Sequence, residues 1–308
     1  MITVITSCSS RKRSKEAELC LSAALVGTGL NETIFNWQKA ISERKNLYQA
    51  IDLYAGRSIN EAGRTATILG SPLYFVSAGL GVVSADDRIP SYNLTPVESG
   101  DGLSFALKKH SASAPQWWSK LSSNALSHKI RTQKKHLFLM ALPASYLRML
   151  SDDLSCCSED DANRLRIFTS SAGAEELPAL LRTSIIPYDE RLETVPEFAG
   201  TRSDFPQRAM HHFVAMLEGH NLELDDSKHL VNSYLKTRGI REIPTRKRLN
   251  DMQIKSLINA RWNSCQGLSS RLLRALRDDE LVACEQSRFS KLWREVKSEQ
   301  NIKHADQR

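Results

Sequence analysis

Four short runs of β-branched and apolar residues, set apart by helix-length stretches, constrain this chain more than anything else in it. The runs are Ile2–Thr6, Leu73–Val76, His136–Leu142 and Leu165–Thr169. Between them lie helix-compatible segments such as Glu32–Ala50, Ile59–Leu69, Ala114–Leu126 and Ala144–Leu150. Strands alternating with helices predict an α/β domain built on a parallel sheet. In such sheets ligands gather at the carboxyl ends of the strands. Three of the four runs end in or run into serine, at Ser7, Ser77 and Ser170. These three turns are therefore the first places to look for a site, and Gly79, Gly81 and Gly173 permit close backbone approach there.

From about residue 203 the pattern turns helical throughout. Phe205–Leu217, Asp226–Lys236, Asp251–Asn263, Leu268–Arg277 and Glu280–Val296 carry apolar residues at three- and four-residue spacing. Asp225, Asp251 and Ser269 are candidate N-caps. The expectation is two domains: residues 1–200, α/β and holding the site, and residues 201–308, helical and basic. With 308 residues, a chain of 41% hydrophobic and 25% charged residues can bury a sizeable core, which excludes a disordered protein. Its longest apolar run, Leu137–Leu142, is far short of the roughly 20 residues that cross a bilayer, so no membrane association is expected. At the start of the chain, Ile5-Thr6-Ser7-Cys8 superficially resembles a lipoprotein signal, but no basic region precedes it. A cytoplasmic protein is the expectation. The six cysteines form no CxxC pair, so reduced thiols and no metal site are expected.

The net charge of +7 is concentrated late in the chain. Lys and Arg number 22 against 21 Asp and Glu in residues 1–200, and 20 against 14 thereafter. Lys236, Arg238, Arg241, Arg246, Lys247 and Arg248 crowd into thirteen residues that Gly239 and Pro244 keep from being one helix. This reads as a flexible basic connector, either a solvated face or a contact for a phosphate backbone. Farther on, Arg271, Arg274 and Arg277 line one side of a leucine-rich helix. That arrangement fits either a polar stripe or the recognition helix of a helix-turn-helix.

Three stretches carry residues capable of chemistry. The first is Thr6-Ser7-Cys8-Ser9-Ser10-Arg11-Lys12, where backbone N–H groups and cations beside a thiol favour a nucleophile. The same residues, Ser7, Ser9, Arg11 and Lys12, suit an anion-binding loop, and Cys8 can equally be a small buried apolar residue. The second runs from Ser77 and Gly79 to Asp86, Asp87 and Tyr92. There an aspartate can accept from a guanine-like ring while Tyr92 stacks on it, as in enzymes that hold a base out of the helix. Asp86-Asp87-Arg88 can equally be a surface turn. In the third, Asp204, Arg208 and His211 or His212 fall on one side of a helix whose start suits phosphate, with capping or core roles as the plainer alternative.

The stretches Val4-Ile5-Thr6-Ser7-Cys8-Ser9-Ser10-Arg11-Lys12, Leu53-Tyr54-Ala55-Gly56-Arg57, and Val76-Ser77-Ala78-Gly79-Leu80-Gly81 through Ile89-Pro90-Ser91-Tyr92-Asn93-Leu94-Thr95 resemble the YaaA-like superfamily, which includes domains accompanying tRNA-guanine-modifying enzymes. The resemblance covers about the first hundred residues. The later Gly200–Phe213 and Ala283–Phe289 stretches are similar to the DpdC type of protein from bacterial systems that insert 7-deazaguanines into DNA. The resemblance implies a lyase-type hydration of 7-cyano-7-deazaguanine in DNA to the 7-amido base. It implies Cys8 as nucleophile, Asp86 or Asp87 as base or recognition group, and no metal or other cofactor. Partners would be the modified DNA and other proteins of the same system. A transglycosylase or N-glycosidase acting on a (deaza)guanine, and a DNA-binding protein without catalysis, stand as alternatives, and the backbone argument holds for RNA as well as DNA.

Overall fold

The computed structural model describes residues 1–96, 103–123, 125–239 and 246–305, with side chains described through Gln300. The chain divides into two compact units, Met1–Arg241 and Glu242–Arg308.

The first unit is built on a five-stranded sheet: β1 (Ile2–Ser7), β2 (Leu73–Ser77), β3 (Gly81–Ser84), β4 (Leu137–Ala141) and β5 (Leu165–Phe168). The spatial order is β3-β2-β1-β4-β5. β2, β1, β4 and β5 run parallel, whereas β3 doubles back antiparallel to β2, pairing Gly81 with Ser77 and Ser84 with Tyr74. The four parallel strands are the four runs read from the sequence, each within a residue or two of its expected ends. Val4, Ile5, Phe138, Leu139, Met140, Leu165 and Ile167 are fully buried. Such burial on both faces of a parallel sheet is what makes its strands read as continuous apolar runs.

Helices α1 (Leu30–Ser42), α2 (Arg57–Leu69), α3 (Ala114–Ser122), α4 (Ala144–Leu154), α5 (Phe205–Ala215) and α6 (Leu224–Lys236) belong to this unit. α2 packs on α5 and on β1, and α3 packs on α4. The expected boundary at residue 200 therefore falls inside the unit. Ala209, Met210, Phe213 and Val214 of α5, with Val231 and Leu235 of α6, join the core that the sheet nucleates. The switch to a purely helical pattern marks a covering layer of the α/β unit rather than a new domain.

The second unit has its own core. α7 (Asp251–Arg261), α8 (Ser269–Asp278) and α9 (Gln286–Ala305) bury Ile254, Ile258, Leu272, Leu276, Phe289, Leu292 and Val296 together. The expected connector is anchored at its far end, because Lys247 bridges in parallel to Val282 and exchanges backbone hydrogen bonds with Leu281 and Ala283. The caps of α6, α7 and α8 are Glu223, Asn250 and Leu268, each earlier than expected. Asn250 wins over Asp251 because it forms a reciprocal capping box with Gln253.

Candidate functional site

β1 has β2 on one side and β4 on the other, so the chain reverses direction across the sheet at this strand. A crevice at the carboxyl end of a parallel sheet belongs at such a point. A cavity of about 1300 Å³ opens there, bordered by residues that follow β1, by the segment Ala55–Ser58 at the start of α2, and by Pro143, Ser145 and Tyr146 at the start of α4.

Cys8 lies one residue past the end of β1 and borders this cavity with 6% of its surface exposed. Its amide still donates to the Val76 carbonyl at 2.9 Å, so the sheet ladder fixes its position. Its Sγ lies 3.1 Å from the Tyr146 hydroxyl, and either group can donate. Two more buried tyrosines extend the polar surroundings: the Tyr54 and Tyr92 hydroxyls share a hydrogen bond of 2.6 Å, and Ser77 Oγ pairs with the Tyr92 hydroxyl. Burial pushes all three phenols well above the ordinary tyrosine range, and the charge of Cys8 adds to the shift. These phenols stay protonated and act as neutral hydrogen-bonding groups.

Lys12 supplies the nearby cation. Its ammonium donates to the Ser9 carbonyl at 2.6 Å and sits 4.9 Å from the centre of the Tyr92 ring and 5.3 Å from that of Tyr54. Burial lowers its pKa from 10.5, partly offset by attraction to Cys8 and Glu18. The loop that carries it is tied down. Ser9 Oγ donates to the Ala55 carbonyl at 2.6 Å and accepts from the Arg11 amide, while Ala55 N–H donates to the Arg11 carbonyl. The loop after β1 and the Leu53–Arg57 stretch are thus hydrogen-bonded to each other.

The remaining expected residues divide sharply. Ser7, Ser9, Arg11 and Asp204 border the cavity with Cys8. Asp86 and Asp87 do not. They follow β3, whose antiparallel course carries its end to Tyr74, near the start of β2 and opposite the cavity end of the sheet. Neither is buried, and Asp87 caps its own turn by accepting from Ser84 N–H at 2.7 Å. The roles of general base and base-recognition group expected of them are therefore not available at Cys8. Tyr92 is no stacking platform either: it is fully buried, edge-on to Trp37 and Tyr54.

Ser77 and Gly79 form a rigid buried turn beside the site. Ser77 Oγ accepts from Gly79 and Leu80 N–H, while the Trp37 and Trp117 indoles donate to the Gly79 and Ala78 carbonyls, both at 2.7 Å. Ser170 caps the short helix Ser171–Glu175 instead of facing the cavity. Arg208 is fully buried, out of reach of a phosphate, with four of its five N–H donors engaged within the protein. It holds Asp204 and Glu193, both at 2.7 Å, and the Phe198 and Thr201 carbonyls.

Two further residues border the cavity that no sequence pattern singles out. Tyr146 sits in the first turn of α4, a segment that reads as an ordinary amphipathic helix. Phe105, in the helix Leu103–Lys109, borders the cavity with 45% of its surface exposed.

The basic residues expected to meet nucleic acid are distributed over both units. Arg238, near the end of the described part of the first unit, is stacked on the Tyr234 ring at 4.8 Å; Arg241 lies outside the described residues. In the second unit Arg271 and Arg274 are on α8, with Arg271 exposed and donating to Gln266. Arg246, Arg248, Arg277 and Arg288 surround a smaller cavity of about 460 Å³, together with Glu285. Arg277 is turned onto the Cys284 carbonyl, and Arg246 donates to the Arg277 carbonyl and pairs with Asp278. Lys247 and Arg248 are exposed. Compared with protein-family models, curated proteins and solved structures, the chain has no match.

Proposed function

We propose that this protein is a YaaA-like, DpdC-type enzyme that hydrates the nitrile of 7-cyano-7-deazaguanine in DNA to the amide, with Cys8 as the nucleophile. The observation that carries the reading is the Cys8 thiol at the edge of a large strand-end cavity, 3.1 Å from the Tyr146 hydroxyl. A nitrile carbon is electrophilic, and a cysteine sulfur paired with a proton-handling group is suited to attack it. The C–S bond forms as one π bond of the nitrile breaks. The thiol proton passes through Tyr146 to the nitrile nitrogen, giving a thioimidate. Water then adds to the same carbon, the C–S bond breaks, and the sulfur recovers a proton. The net change is the addition of one water, with no oxidation or reduction and no cofactor.

The surroundings fit this chemistry. Tyr146 remains a phenol at neutral pH, the state in which it can donate to a thiolate. Lys12 adds positive charge toward Cys8. Phe105 provides a face on which a planar deazapurine can stack, as aromatic side chains do for unpaired bases. The cavity has room for a nucleotide. A glycosidase needs a free carboxylate near the sugar. Among the described residues that border the cavity the one carboxylate is Asp204, which is tied to Arg208 and to Thr201 N–H. The arginines of the second unit, with a helix-turn-helix arrangement in which α8 carries Arg271 and Arg274, supply backbone contacts.

The test is to incubate the protein with DNA containing 7-cyano-7-deazaguanine, digest to nucleosides and follow their masses. The expected product is heavier by one water, is absent with Cys8→Ala, and forms more slowly with Tyr146→Phe. A free base or an abasic site would replace this reading by a glycosidase. An unchanged base bound in a salt-sensitive complex would replace it by a DNA-binding protein.

A further inference from the structure

Two helices point their first turns at the cavity that holds Cys8. α2 has 13 residues and begins after Gly56; α4 has 11 and begins after Pro143. Neither cap residue accepts a side-chain hydrogen bond. The first N–H groups of a helix have no partner within it, and the helix dipole adds partial positive charge there. The two open starts also match in sequence. Each carries serine at its second helical position, Ser58 in α2 and Ser145 in α4, and both serines border the cavity.

A second, independent feature points to a ligand. Ser7 borders the same cavity, is only 6% exposed, and its hydroxyl has no hydrogen-bond partner among the described residues. A hydroxyl held in place at the cavity wall with no partner in the protein is free to donate to, or accept from, whatever occupies the cavity. Arg11 stands exposed at the same cavity with no ion pair among the described residues. Hydroxyl donors, open helix N-termini and a free guanidinium together recognise a group with several negative oxygens, foremost a phosphate. Gly56 has a positive φ of 113°, so it turns the chain into α2 in a conformation a side chain would resist.

We infer that Ser7, Ser58, Ser145 and Arg11, with the starts of α2 and α4, form a phosphate cradle beside Cys8, so that the ligand of this cavity is a nucleotide rather than a free base or nucleoside. The nucleoside half of this statement rests on the reading above; the phosphate half is independent of the reaction. A base stacked on Phe105 and a phosphate held in the cradle place the ligand from both ends around Cys8.

Calorimetric titration of the full chain with dGMP, with deoxyguanosine and with inorganic phosphate tests it. The expected result is that dGMP binds about tenfold or more tightly than deoxyguanosine, the difference of one good charge-assisted contact set, and that inorganic phosphate competes with it. The double variant Ser58→Ala/Ser145→Ala and the single variant Arg11→Gln remove the preference, with folding checked by circular dichroism. Competition by a short oligodeoxynucleotide without terminal phosphates assigns the cradle to a backbone phosphate; failure to compete assigns it to a terminal one. Equal binding of dGMP and deoxyguanosine by the wild-type protein overturns the proposal without recourse to any variant. The titrations involve no turnover. A protein that prefers dGMP yet fails to hydrate the nitrile keeps the cradle and loses the reaction, and the reverse outcome loses only the cradle.

Discussion

The guanidinium of Arg208 is buried inside the protein, held on the carboxylates of Asp204 and Glu193 and on the Phe198 and Thr201 carbonyls. Its replacement by methionine would leave both carboxylates without their cation. The expected loss is about 3–5 kcal/mol in urea denaturation, the usual cost of breaking a buried pair from one side. His212, four residues on, is fully buried, donates to or accepts from the Tyr188 hydroxyl, and has a second ring nitrogen without a partner among the described residues. Burial, then Arg238 and His211, lower its pKa from 6.5 to about 4. Between those values the unfolded chain takes up a proton that the folded one refuses, so stability falls as pH drops from about 6.5 and the full penalty is reached below about 4. The contribution is about 3 kcal/mol. Denaturation of His212→Gln at pH 7 and pH 4 should show a pH-dependent loss smaller by about that amount; an unchanged loss would remove His212 from the acid response. Ser7, Cys8, Ser9 and Arg11 are legible in sequence because they end or follow the first strand, where strand-end logic applies directly. Tyr146 is not. It follows the one run that ends in Leu142-Pro143 rather than running into serine, and its partnership with Cys8 spans 138 residues of chain.

At the level of elements, the turn Ser77–Leu80 is clamped by two indoles and a phenol. A Cβ on Gly79 would come within 2.9 Å of Tyr92 and 3.0 Å of Trp37. Gly79→Ala should therefore cost about 1–3 kcal/mol through overpacking. Because Tyr92 carries Lys12 over its ring and binds Tyr54 and Ser77, the same change should alter the rate at which iodoacetamide modifies Cys8. A changed melting temperature with an unchanged alkylation rate would separate the turn from the site. Cys157 serves as the internal control, since burial and the nearby Asp161 and Asp153 push its thiol up to about 12. The parallel strands can be read from sequence because burial on both faces leaves unbroken apolar runs. β3 cannot, being four residues long and half-buried with alternating exposure. That one short strand decides the fate of Asp86 and Asp87: read as a loop, the segment is free to fold over the cavity, but as an antiparallel strand it carries them to the other end of the sheet.

Across the whole molecule, the two units bury separate sets of apolar residues, one around the sheet and one among α7, α8 and α9. Every residue named at the Cys8 cavity lies in the first unit, and most of the excess positive charge lies beyond residue 200. Chemistry and backbone affinity should therefore be separable by truncation. A chain ending at Arg241 retains the complete first core, including α5 and α6, whereas a cut at residue 200 would strip Met210, Phe213 and Val214 from the sheet and should give an unfolded or aggregating product. The longer fragment should melt cooperatively and still bind dGMP. Its affinity for DNA should fall, and the slope of log affinity against log salt should flatten, because every phosphate that the fragment no longer neutralises takes nearly one counterion out of the release on binding. A fragment with the same salt slope as the full chain would place the backbone contacts in the first unit, around Arg11 and Arg238. The arginines of the second unit would then be structural, as Arg246 and Arg277 already are through their hydrogen bonds to backbone carbonyls.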